Sequence, residues 1–71
     1  MKTYLYNKNQ DQRGNHEVHV STCSRLPITS NRVFISGFHS DCRSAIQAAK
    51  RQSGKTNFDG CYYCATACHT G

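Results

Sequence analysis

Polar and apolar residues alternate in three short stretches of the first half of the chain. Residues 2–7 set Tyr4 and Tyr6 on one side and Leu5 on the other, which predicts a first strand. His16-Glu-Val-His-Val20 alternates more strictly: Val18 and Val20 share one face, Glu17 and His19 the other. Arg32 to Ser36 is rich in β-branched and aromatic residues and predicts a third strand. Between these lie polar turns, with Gly14 in the first and Pro27 opening the second. The period then changes. Cys42, Ala45, Ile46 and Ala49 recur at helical spacing, with Arg43, Gln47, Lys50 and Arg51 opposite. Ser40 or Asp41 is placed to cap this helix, and Gly54 to stop it. Asn57 or Asp59 could open a short C-terminal helix. The pattern predicts a single α+β domain over residues 1–71: a small antiparallel sheet of about three strands and one main helix.

The expected core is thin: Leu5, Val18, Val20, Leu26, Ile28, Val33, Phe34, Ile35, Phe38, Ile46 and Phe58, helped by alanines and tyrosines. A chain this short needs a metal or a disulfide to supplement such a core. The N-terminus lacks the apolar centre of a signal peptide, and no apolar run approaches membrane-spanning length. The expected location is cytoplasmic, where clustered cysteines favour metal or catalysis over disulfides.

Five cysteines are present, an odd number. Cys61-x-x-Cys64 has the spacing of a metal-chelating turn, and His19-x-x-x-Cys23 supplies a second pair where a strand gives way to a loop. The expected zinc site is His19, Cys23, Cys61 and Cys64. Cys68 is the alternative fourth ligand, because a helical tail would align Cys61, Cys64 and Cys68. His69 beside it is expected to face solvent or cap a helix. Cys42 reads as a small apolar residue of the helix stripe. His16 and His39 read as surface or hydrogen-bonding residues rather than ligands. The chain carries a formal charge of +5, which zinc with three thiolates lowers to +4 and with four to +3.

In this order, His19-x-x-x-Cys23-x-x-Leu26, a strand, Phe38-His-Ser-x-x-x-x-Ala45 and Cys61-x-x-Cys64, the chain resembles the small N-terminal zinc-binding domain of Ada-type methyl-phosphotriester repair proteins. The likeness spans roughly residues 16–64. It implies zinc held by Cys23, Cys61 and Cys64. The first member of the upstream pair carries the methyl-accepting thiol in that family, and here it is His19, which removes that chemistry. The Cys-x-x-Cys-x-x-x-Cys-His69 ending is also similar to that of short uncharacterised bacterial proteins.

The expected function is a non-catalytic, zinc-stabilised binding module, a monomer or weak homodimer. Arg25, Arg32, Arg43, Lys50, Arg51 and Lys55 could meet nucleic-acid phosphates. Tyr62 and Tyr63, with Tyr4 and Tyr6, could instead form an aromatic patch for a protein partner. A disulfide-stabilised miniprotein and a thiol redox protein are the further alternatives. The redox reading suffers because the motif lies at the end of the sequence, and Glu17, the only glutamate, is not on a zinc-protease helix.

Overall fold

The computed structural model describes residues 1–70. Strands β1 (Tyr4–Asn7), β2 (His16–Val20), β3 (Arg32–Phe34) and β4 (Phe58–Gly60) form one sheet in the order β3-β1-β2-β4. β1 pairs antiparallel with β2 and with β3, whereas β2 and β4 run parallel. The sheet is therefore mixed and four-stranded, not the three-stranded antiparallel sheet expected. The fourth strand occupies the stretch expected to open a terminal helix. The tail holds only a 3-10 turn, Thr66–Cys68. A second 3-10 turn, Thr29–Asn31, leads into β3.

Helix α1 (Cys42–Ser53) follows the expected boundaries. The Asp41 carboxylate accepts from the Ser44 N–H at 3.0 Å, satisfying one of the orphan donors of the first turn. Gly54 ends the helix at φ 73°, a conformation that glycine adopts without strain. Lys50 and Arg51 sit in the last turn, where cations complement the helix dipole.

Opposed residues of neighbouring strands share a face, so Tyr4, Tyr6 and Val18 line one side of the sheet. They pack with Cys42, Ala45, Ala48 and Ala49 of α1 in a single core cluster. The helix thus meets the sheet through alanines, whose small side chains let the two layers approach closely. Ile46, expected on the stripe, is only partly buried, and Ala48 takes its place. Leu5 and His19 oppose each other on the other face and are both fully buried.

The expected core loses three members: Ile28, Phe34 and Phe38 are 69, 56 and 70% exposed. Phe34 ends an edge strand, while Ile28 and Phe38 lie in turns flanking it. Histidines fill part of the interior instead. His16 is buried, its Nδ1–H donating to the Asn7 carbonyl at 2.9 Å, and its ring packs against those of Tyr6 and Phe58, which also meet each other. His39 is buried and bridges Ser44 Oγ and the Ser36 carbonyl, each at 2.8 Å. Among the described residues, no helix is long and apolar enough to cross a membrane.

Candidate metal centre

The parallel pairing of β2 and β4 decides where the cysteines fall. Both strands point the same way, so the segments that follow them leave the same end of the sheet. Val18 is in register with Gly60, and the Cys61 N–H extends the ladder by donating to the Val18 carbonyl at 2.9 Å. Cys61 and Cys64 therefore lie beside His19 and the turn that carries Cys23. The ligand atoms of His19, Cys23, Cys61 and Cys64 all lie within 4.8 Å of one another.

The sulfurs of Cys23 and Cys61 are 3.9 Å apart, and Cys64 Sγ is 3.8 Å from His19 Nδ1. Ligands about 2.0–2.3 Å from a tetrahedral ion are separated by roughly 3.5–3.8 Å, so these spacings are compatible with metal coordination. His19 and Cys61 are buried, and Cys23 and Cys64 are half-buried. Two backbone contacts reinforce the arrangement. The Arg25 N–H donates to Cys23 Sγ at 3.3 Å and the Tyr63 N–H to Cys61 Sγ at 3.4 Å. Each sulfur is approached by the amide two residues on, and such donors favour the thiolate form that a metal requires.

Burial pushes the Cys64 thiol pKa well up, and hydrogen bonding to the Cys23 thiol adds to this. Burial also lowers the His19 pKa, which favours the neutral ring able to donate a lone pair. On its far side, His19 Nε2 lies 3.1 Å from Glu17 Oε1.

Cys68, the alternative ligand, is elsewhere engaged: it forms a disulfide with Cys42. Cys42 keeps its expected place on the buried stripe but is a cross-link as well as a small apolar residue. Its spacing fits the stripe fully, so nothing in the sequence marked it as a partner. His69 is half-buried, and its Nδ1–H donates to the Gly60 carbonyl at 3.0 Å. Asp59, buried, accepts from the Thr70 N–H at 2.8 Å and hydroxyl at 3.0 Å, fixing the tail to β4.

Tyr62 and Tyr63, between the two thiols, are exposed and meet edge to face. The Arg25 guanidinium lies 4.1 Å from the centre of the Tyr63 ring, and Tyr62 packs edge-on to His69. Tyr4 and Tyr6 are buried under α1 and do not belong to this patch.

The chain matches no protein-family model, no curated protein and no solved structure. The likeness to the Ada-type domain therefore extends to a His/Cys cluster consistent with a small zinc-binding motif, and homology to that family has no support.

Proposed function

We propose that this is a non-catalytic binding module whose C-terminal segment is held to the sheet by a structural zinc ion. The observation that carries the reading is the convergence of one imidazole and three thiols, from segments about forty residues apart, with their ligand atoms within 4.8 Å of one another. Soft sulfur with one nitrogen suits zinc. Four protein ligands fill a tetrahedral ion, and an open position is what zinc catalysis needs. His19 occupies the place of a methyl-accepting thiol, so methyl transfer of the Ada type is not part of the proposal.

The Cys42–Cys68 bond supports a combined reading, in which a disulfide and a metal both staple a small core. Disulfides are rare in reducing compartments, so the bond weighs against the cytoplasmic expectation. The recognition surface we assign is the Tyr62, Tyr63 and Arg25 face. On its His69 side it adjoins a depression of mixed charge lined by Asp11, Gln12, Arg13, Glu17, Asp59 and His69. Exposed tyrosines with a stacked guanidinium, beside a depression of mixed charge, have the composition of a protein-binding surface. Lys50 and Arg51 complement their own helix and need no nucleic acid to explain them.

Intact-mass measurement tests the staples. Under native conditions one zinc per chain is expected. Under denaturing, non-reducing conditions the chain should be two hydrogens lighter than its fully reduced form. A chain that takes up no zinc, or that keeps its full thermal stability after chelation, would overturn the structural role.

A further inference from the structure

Glu17 belongs to no ligand set, yet it touches the centre. It stands two residues before His19 on β2, on the same face of the strand, with Oε1 3.1 Å from His19 Nε2. The reading below rests on the metal site proposed above. We propose that Glu17 is a positioning residue of the metal centre, whose carboxylate holds His19 Nε2–H and so presents Nδ1 to the ion.

A neutral imidazole has one protonated nitrogen and one lone pair. A carboxylate accepts only, so the nitrogen facing Glu17 is the protonated one. The lone pair then sits on Nδ1, the atom 3.8 Å from Cys64 Sγ. The ring is 1% exposed, so in the intact chain Glu17 stands between Nε2 and solvent. Metal-ligating histidines recurrently donate their second N–H to a carboxylate in this way, which fixes the tautomer and makes the ring more basic. The neighbourhood also shows what Glu17 is not needed for. Its side chain is 40% exposed and borders the open depression beside Asp11, Arg13, Asp59 and His69. It is no part of the apolar core, so its loss should spare the fold.

Two measurements decide the matter. The first needs no substitution: long-range proton–nitrogen NMR of the zinc-loaded chain reads which His19 nitrogen is protonated. Protonated Nε2 with metal-bound Nδ1 is expected, and the reverse overturns the proposal. The second compares wild type, Glu17→Gln and Glu17→Ala by zinc competition against a chromophoric chelator and by the visible spectrum of the cobalt(II) form. Glu17→Ala should weaken zinc binding by about 10–100-fold and alter the cobalt bands. Glu17→Gln keeps an acceptor oxygen and should restore the wild-type spectrum with an intermediate affinity. A Glu17→Ala chain that binds as tightly as wild type, with unchanged bands, overturns the positioning role alone. A wild-type chain that binds neither metal overturns the zinc reading, and the role of Glu17 with it.

Discussion

At the level of single residues, the centre is defined by groups whose ordinary protonation suits a metal unequally. Burial already favours the neutral His19 ring. Cys64 is the reverse, because burial and its thiol neighbours hold its proton on. A metal must expel that proton, so binding releases acid and tightens as pH rises. Below the ordinary histidine range the ring also begins to protonate, and the stability that its depressed pKa contributes is lost as pH falls. Zinc affinity should therefore fall as the neutral range is acidified, and fall faster below about pH 6.5, where the His19 ring joins the thiols in taking up protons. Calorimetry in buffers of different ionisation enthalpy would count the protons released. An affinity that ignores pH would rule out these four residues as the ligands. Much of this was legible residue by residue. The His-x-x-x-Cys and Cys-x-x-Cys spacings named the four residues that the structure brings together. The interior roles of His16 and His39 were not, because a polar ring buried by neighbours distant in sequence leaves no local periodicity.

Among the elements, β1, β2 and the helix could be read from their periods, since each has enough residues to show one. β3 was legible too, though it stops two residues short of its expected end. Strand β4 could not. Phe58-Asp59-Gly60 is three residues long and includes two types disfavoured in strands. It exists because β2 offers an open edge and because the tail anchors it, and neither fact is local. Gly60 shows how close that packing is. A Cβ there would lie 2.5 Å from the Ala65 carbonyl oxygen and 2.7 Å from Cys68 Cβ. Both neighbours are firmly held, one as backbone and one in a disulfide. Gly60→Ala should destabilise the domain by about 1–3 kcal/mol, the range for overpacking. Urea denaturation checks this, and an unchanged midpoint would mean that the 3-10 turn yields freely.

For the whole molecule, the question is what keeps so small a core folded. Three of the expected apolar residues face solvent, and the helix contributes mainly alanine. A disulfide compensates, and the proposed metal would add a second cross-link ending in the same stretch, residues 61–68. The disulfide closes a separation of 26 residues, for which the chain-entropy model gives about 3.5 kcal/mol. The proposed metal would tie together positions 38 to 45 residues apart. Replacing Cys42 and Cys68 together by serine should lower stability by roughly 3.5 kcal/mol and leave a folded, zinc-dependent domain. Chelation of this variant should then unfold it. Thermal melts of the four combinations would show it, and a doubly unstapled chain that still melts cooperatively near the wild-type temperature would contradict it. The sequence pointed to the cluster proposed as the metal staple, and the structure adds a disulfide. The second was hidden because its upstream cysteine also satisfies a helix stripe.

The parallel pairing of β2 with β4 has a consequence in time as well as in space. As the chain is synthesised, His19 and Cys23 are made long before the residues that complete their site, and Cys42 long before Cys68. Until residues 58–68 arrive, one edge of β2 is bare, an imidazole destined for the interior lies open, and two cysteines have no correct partner. A third of the described strand ladder, the His/Cys cluster and the disulfide then become available together. Maturation of this fold is in that sense a single late event, and Cys23 and Cys42 are the thiols exposed to wrong pairing while it is awaited.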